Sequence, residues 1–290
     1  MPELPFLEIL AENLAAHVAG RRIEAIEIRQ PALLQTAVAP ESFAGEFLSL
    51  PARRGKYLIL ECESRRAIVL HLMRLGRLRL APLPERGRAA RRPAGTKGYS
   101  ARVRFDDGSA LLLVEHGTEK RARLWLTDDA EAMEELAAVG PDPTRGELTA
   151  ARFQEALRAG SRQLKTLLTD SRAIAGIGNG LSDEILYEAR LSPLRLTSQV
   201  TDEEAARLHA AIGAVLERQI TLLRESAAGE LPQREPSEHY VVHDHAGETC
   251  PRCGSAIARI SYADRETFYC PGCQTGGTLL KDRRMSKLLK

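Results

Sequence analysis

Aromatic residues are scarce in this chain of 290 residues: six Phe, six Tyr and one Trp, 4% of the total. An RNA-binding surface of stacked bases needs such side chains, and their scarcity argues against one. Long apolar runs are missing as well. None approaches the roughly eighteen residues of a membrane-spanning helix. The opening Met-Pro-Glu-Leu-Pro-Phe-Leu-Glu has no basic stretch, and Glu3 and Glu8 interrupt its apolar character, so no secretory signal is expected and the protein reads as cytoplasmic. Charge of one sign is lacking too. With 41 Lys and Arg against 39 Asp and Glu, the net charge is +2, which does not by itself announce a polyanionic partner. No internal repeat is evident.

What is present begins with four of the five cysteines. Cys250-Pro-Arg-Cys253 is followed, sixteen residues later, by Cys270-Pro-Gly-Cys273. Two CxxC pairs at this spacing mark a small zinc ribbon, because each turn supplies two thiolates to a tetrahedral ion. One structural Zn2+ is therefore expected. The interval between the pairs is long enough for two short strands and a turn, which would carry Asp264 and Arg265 outward. The fifth cysteine, Cys62, lies in the apolar run Tyr57-Leu-Ile-Leu-Glu-Cys and reads as a buried thiol.

Charge is clustered rather than abundant. Arg86 to Lys97 holds five basic residues and no acid, and Lys281 to Lys290 holds five against one Asp. Such runs are ordinarily solvated surface, but two of them raise the case for nucleic acid.

Periodicity divides the chain. Leu7, Leu10, Leu14 and Val18 share one helical face that ends at Gly20. From Arg22 to Leu126 short alternating or apolar runs take over, including Arg102 to Val114, read as two strands joined by an Asp107-Gly108 turn. Many short strands imply a β-sandwich or barrel. Pro82 to Gly98 reads as a long loop. After Pro141-Asp-Pro143 helical spacing returns, first in Phe153, Leu157, Leu164, Leu167 and Leu168, then in Asp183 to Arg190 and Asp202 to Arg224. A Gly-, Pro- and Glu-rich segment, Ala227 to Glu238, leads into the ribbon. The fold class is thus α+β and multidomain, with boundaries near 1–140, 141–232 and 233–290, the last including the basic tail.

Three groups of residues carry candidate chemistry. A small residue after Met favours Met removal, which would give Pro2 a free secondary amine with an α-amino pKa of about 7.7–8.0. Such an amine attacks an aldehyde-like carbon and forms an iminium, and Glu3 beside it can move protons. Met-Pro starts are also common without any catalysis. Ala175-Gly-Ile-Gly-Asn-Gly-Leu-Ser-Asp-Glu puts glycines 176, 178 and 180 ahead of a helix opening at Ser182, a natural phosphate site with Asn179 as an added donor; a simple helix–turn–helix corner reads equally well. Lys56 heads one strand and His71 ends another, each with a donor for phosphate.

Taken together these features resemble the formamidopyrimidine-DNA glycosylase/endonuclease VIII family of base-excision repair enzymes. The resemblance covers almost the whole chain, and four elements agree in order: the Pro2-Glu3 start, Gly55-Lys56, Gly176-Ile-Gly-Asn179 with Asp183-Glu-Ile-Leu, and the ribbon with Arg265 five residues before Cys270. It implies a β-sandwich with an N-terminal helix, a helix–two-turn–helix domain and a zinc finger, with DNA in the cleft between them.

It further implies that Pro2 attacks C1′ of a damaged nucleotide and that Glu3 shuttles protons. Lys56 would contact phosphate and take part in proton transfer, and Asn179 and Arg265 would clamp the flanking phosphates, Arg265 being counted with the catalytic set. His71, Arg162 and Lys165 complete the DNA-contacting residues. The partner would be DNA with a damaged base or an abasic site, bound by a cytoplasmic, nucleoid-associated monomer.

Several positions depart from the family pattern. The usual Asp-Pro-Arg-Arg-Phe-Gly wedge aligns with Gly117-Thr-Glu-Lys-Arg-Ala122, which has no aromatic. His71-Leu-Met-Arg-Leu-Gly76 replaces His-Leu-Gly-Met-Ser-Gly, which makes Met73 or Arg74 the candidate to fill the gap left by a flipped base. Phe6 stands where an acid is usual. A divergent subfamily is expected, and the alternative within the same fold is a damaged-DNA or abasic-site binding protein without base excision.

Overall fold

The computed structural model describes residues 1–81, 98–235, 237–262 and 265–280, without the side chains of Tyr262 and Arg265. The two basic runs of the sequence and Asp264 fall wholly or mostly outside the described residues. The chain divides into two compact units. The first comprises Met1–Pro2, Phe6–Ala138 and Ser226–Glu235; the second comprises Glu3–Pro5, Val139–Glu225 and the residues from Pro236 onward.

The first unit opens with most of α1 (Leu4–Val18). The expected stripe of Leu7, Leu10, Leu14 and Val18 is fully buried, but so are Phe6 and Ile9, so the helix is apolar over more of its circumference than one face. Gly20, at φ +72°, ends it and donates its N–H to Leu48 O, a left-handed position that suits glycine.

Eight strands follow: β1 (Ile23–Ile28), β2 (Ala52–Arg54), β3 (Tyr57–Glu61), β4 (Ala67–His71), β5 (Gly76–Ala81), β6 (Tyr99–Phe105), β7 (Ala110–Glu115) and β8 (Arg123–Thr127). They form two antiparallel sheets, in the orders β1-β6-β7-β5 and β2-β3-β4-β8. Leu60, Ile68 and Leu124 of one sheet and Leu78, Val103 and Leu111 of the other line one internal cavity. Two sheets sharing such a core are a β-sandwich. The outer face of β4 is buried as well: Ala67 and Val69 pack with Trp125, Ala130, Met133 and Leu136, the last in the short α2 (Glu134–Ala137). The β6–β7 turn is where the Asp107-Gly108 pair places it, with Gly108 at φ +85° and Asp107 Oδ1 accepting from Ser109 N.

The second unit is built on α3 (Ala150–Arg158), α4 (Leu164–Thr169), α5 (Asn179–Glu188) and α6 (Asp202–Ala227). Phe153, Leu157, Leu164, Leu167 and Leu168, the periodic residues of the sequence, are all in its core with Leu208, Ile212 and Leu216 of α6. Leu4 joins the same core. The ribbon is a hairpin of β9 (Ala258–Tyr262) and β10 (Arg265–Tyr269), followed by α7 (Pro271–Gln274). Tyr187 of α5 packs with Val242, Ile257 and Phe268, so the ribbon shares an apolar core with the helices. Among the described residues no helix is long and apolar enough to cross a membrane.

Candidate active site and zinc ribbon

The head of α5 differs from the sequence expectation in one respect. The helix starts at Asn179, three residues before Ser182, and its unpaired amides already have an anion from the chain itself. Glu3, only 5% exposed, accepts from Gly178 N at 2.7 Å, Gly180 N at 3.0 Å and Leu181 N at 3.2 Å. A carboxylate at a helix N-terminus is favoured both by these donors and by the helix dipole.

The glycines serve this contact. A Cβ on Gly178 would lie 2.4 Å from the Glu3 carboxyl, and one on Gly176, which is at φ +81°, would lie 2.6 Å from Leu4 Cβ. The close approach read from these glycines is therefore that of residues 3 and 4, and Glu3 takes the amides a phosphate would need.

Beside that helix head, two side chains from different helices hold one backbone carbonyl of the ribbon. Asn179 Nδ2 donates to Glu266 O at 2.9 Å, and Lys165 Nζ reaches the same oxygen at 3.3 Å. Lys165 also pairs with Asp183 Oδ1 at 2.5 Å. Asp183 is fully buried and accepts in addition from His243 Nδ1 at 2.8 Å and Phe268 N at 3.1 Å. Glu266 follows Arg265 directly, so the start of β10 is fixed at the N-terminus of α5. The neighbouring Glu184 accepts from the amides of Val241, Val242 and His243. Burial pushes its carboxyl above the ordinary range against the pull of those three amides.

Lys165 and Asn179 thus stand together with the backbone of Arg265. Arg162 does not join them; its guanidinium pairs with Asp170 at 2.7 Å. Asp183, Glu184 and His243 were not read as site residues from sequence. The first two were visible as part of a helix start and of the stretch that carries the family resemblance, with no role assigned, and His243 carried no signal.

In the first unit, Lys56 follows Gly55 in the β2–β3 turn, and β3 pairs with β4, which ends at His71. Burial, helped by the charges of Lys56 and Arg123, pushes the His71 pKa down to about 4. His71 is therefore neutral at pH 7 and brings no positive charge to a phosphate. Its Nδ1 accepts from Met73 N at 3.3 Å, which leaves Nε2 carrying the proton as a neutral donor. Met73 is in left-handed backbone at φ +52°, a conformation that costs a side-chain residue on the order of 1 kcal/mol and clusters at functional positions. Arg74 and Leu75 are exposed on the same turn, and His116 N donates to Leu75 O. The turn that carries Met73 and Arg74, the candidates to fill the gap, and the Gly117 loop that aligns with the wedge are therefore neighbours.

Arg53, almost fully buried, pairs with Glu8 of α1 at 2.7 Å; neither was read as a site residue from sequence. The Met1 ammonium lies 3.5 Å from Glu235, and Pro2 is buried.

The ribbon thiols meet the requirement of a tetrahedral zinc site, in which Zn–S bonds of about 2.3 Å put sulfurs about 3.8 Å apart. Cys250, Cys253, Cys270 and Cys273 have their Sγ atoms within 4.8 Å of one another; Cys250 to Cys273 is 3.9 Å and Cys253 to Cys270 is 3.3 Å. They hold one zinc ion. With all four positions taken by thiolate, its role is structural, and no chemistry passes through it. Tyr187 Oη, 3.4 Å from Cys250 Sγ, is placed to support that ligand.

A β-sandwich headed by a helix, a helical corner with its amides capped by Glu3, and a four-cysteine ribbon held on that corner define a class, the zinc-finger DNA glycosylase fold. Comparison with known proteins agrees over each part. Residues 1–118 match the formamidopyrimidine-DNA glycosylase N-terminal domain, 139–228 the formamidopyrimidine-DNA glycosylase H2TH domain, and 247–276 the zinc finger found in FPG and IleRS. The formamidopyrimidine-DNA glycosylase of Roseiflexus sp. is 33% identical over 94% of this chain and 100% of its own, and that of Geobacter sulfurreducens is 34% identical with the same coverage.

Among solved structures, the Lactococcus lactis enzyme bound to DNA with an AP site superposes with a TM-score of 0.80 at 28% identity, covering 94% of this chain and 99% of that one. MutM in complex with DNA containing carbocyclic 8-oxo-G gives 0.81 at 28% identity, covering 94% and 100%. The chain belongs to the formamidopyrimidine-DNA glycosylase family.

Proposed function

We propose that this protein is a bifunctional DNA glycosylase and AP lyase of base-excision repair, and that Pro2 is its nucleophile. The observation that carries the reading is the joint hold of Asn179 and Lys165 on Glu266 O, which sets the start of β10, and with it Arg265, beside Asn179. Those are the two residues assigned to the phosphates flanking a lesion. An arginine and an amide donor from two elements whose backbones are held together suit that task.

The chemistry assigned to the chain follows from its residue types. The secondary amine of Pro2 forms a bond to C1′ as the bond from C1′ to the base breaks, and the base leaves with a proton supplied by the enzyme. Opening of the sugar ring gives an iminium at Pro2. Loss of a C2′ proton then expels the 3′ phosphate and cuts the strand. Glu3, covalently next to Pro2, is assigned the proton transfers, with Lys56 assisting at phosphate. Met1 must be removed first, since with Met1 in place the Pro2 nitrogen is an amide.

His71, Met73 and Arg74 are assigned to the DNA strand and to the space of the flipped base, and Arg162 to a more distant contact. The substrate is DNA with an oxidised or deaminated base or an abasic site, bound by a monomer acting in the cytoplasm at the nucleoid. Residues 1–140, 141–232 and 233–290 are assigned as catalytic, DNA-binding and zinc-finger domains.

The test is strand cleavage of duplexes carrying an abasic site or a panel of oxidised and deaminated bases. The wild-type chain cuts the abasic duplex and at least one lesion duplex, and Pro2→Gly cuts neither. Abasic-site binding without cleavage of any duplex would leave a binding protein in place of the enzyme.

A further inference from the structure

Among the described side chains of the α5 clasp, His243 is the imidazole. Its Nδ1 is fixed on Asp183, and Asp183 is shared with Lys165 and with Phe268 N. Rings of Tyr240 and Phe268 meet it edge-on at centroid distances of 5.6 and 5.0 Å, and its side chain is 14% exposed.

The charges that face it come from every element around it. Asp183 lies on α5, with Lys165 of α4 on the same carboxylate. Asp244 follows it in the chain with Oδ1 3.8 Å from Nε2, and Glu3 acts from the N-terminal residues. On β10 the carboxylate of Glu266 is taken up by Arg259 at 3.1 Å. Burial lowers the His243 pKa, but the Asp183 hydrogen bond and charge, with Asp244 and Glu3, outweigh it, and the net direction is upward from 6.5.

Asp183 carries one negative charge and Lys165 one positive charge, so the pair is balanced when His243 is neutral. Protonation of His243 makes this cluster, Asp244 and Glu3 included, more positive by one charge, and Lys165 ties the cluster to the Glu266 carbonyl that Asn179 also holds. An incoming phosphate favours the protonated state, and by linkage the protonated state favours phosphate.

We propose that His243 is a positioning and charge-setting residue that makes the grip of the α5–β10 clasp on DNA proton-linked, so that binding takes up a proton at this imidazole. The inference rests on the reading of Asn179 and Arg265 as phosphate contacts. It is independent of the cleavage chemistry.

The experiment measures binding to a duplex carrying a tetrahydrofuran abasic analogue, which the enzyme cannot cleave, at low salt from pH 6 to 9. Wild type loses affinity as pH rises through the His243 pKa, by at most about tenfold per pH unit for one linked proton. His243→Gln binds several-fold more weakly at pH 6 and lacks that part of the pH dependence. His243→Lys, with a fixed charge, binds tightly at both ends of the range. Groups such as the N-terminal amine titrate equally in all three proteins and cancel in the comparison. Zinc content and melting temperature check that the variants fold.

A second measurement needs no variant: the His243 imidazole, followed by NMR in the wild-type chain, titrates at higher pH with the duplex bound than without it. A His243→Gln pH profile that tracks wild type, or an imidazole whose titration the duplex leaves unmoved, overturns the proposal. Arg265→Ala separates the two readings. If it weakens binding and lowers the salt slope by about one phosphate contact while His243→Gln changes nothing, only the His243 proposal fails. If Arg265→Ala also leaves affinity and slope unchanged, the clamp reading fails with it.

Discussion

His71 shows how burial can overrule a residue's usual charge. As a histidine ending a strand it reads as a phosphate donor, but its burial, helped by the charges of Lys56 and Arg123, holds it neutral, with a pKa of about 4. The sign of the consequence follows from linkage. A folded-state pKa below the unfolded value of about 6.5 means that the unfolded chain binds the proton first. His71 therefore contributes full stability above pH 6.5 and loses it progressively as pH falls toward 4. His71→Gln is expected to flatten the fall in stability across this interval, measured as the urea midpoint at several pH values. A midpoint that falls as steeply in the variant would assign the loss to other groups.

Glu3 is also buried, and its oxygens meet three amides. No periodicity or spacing marked that contact, because its partners lie some 175 residues away in the chain. What sequence did show was the three glycines, and the structure supplies their reason.

At the scale of elements, Gly178→Ala is the sharpest probe of the helix head. The added Cβ would sit 2.4 Å from the Glu3 carboxyl, and Glu3 cannot move without giving up its amides. The substitution is expected to destabilise the protein by roughly 1–3 kcal/mol, the usual cost of overpacking a buried site, and to reduce abasic-strand cleavage along with stability. Denaturation by urea and a cleavage assay check both, and an alanine variant as stable and active as wild type would show that Glu3 has room to adjust.

Elements defined by local pattern were legible before the structure. The α1 stripe, the Asp107-Gly108 hairpin and the paired CxxC turns each depend on residues within a few positions of one another. The clasp was not, since Lys165, Asp183, His243 and Glu266 come from four separate segments and none stands in a motif that names the others. The start of α5 at Asn179 was missed for a related reason: with Glu3 as an anion at its N-terminus, the helix can begin directly after Gly178, where the local residues alone favour a turn.

At the scale of the whole molecule, the near-neutral net charge hides how positive charge is used. Several of the cations are already matched within the fold, Arg53 by Glu8, Arg162 by Asp170 and Lys165 by Asp183. On the proposed reading, affinity for DNA depends on a few placed groups rather than on bulk charge, which is why Arg265 and His243 carry the binding tests above.

The proposed reaction depends on the opposite end of the chain from the ribbon, on the amine that removal of Met1 would expose. The most direct measurement is to reduce the protein with borohydride in the presence of an abasic-site duplex and locate the trapped sugar by peptide mass spectrometry. The sugar remnant is expected on an N-terminal peptide that begins at Pro2, with no adduct on chains that retain Met1. An adduct on a lysine, or none on the Pro2 peptide of a chain that cuts abasic DNA, would contradict Pro2 as the nucleophile.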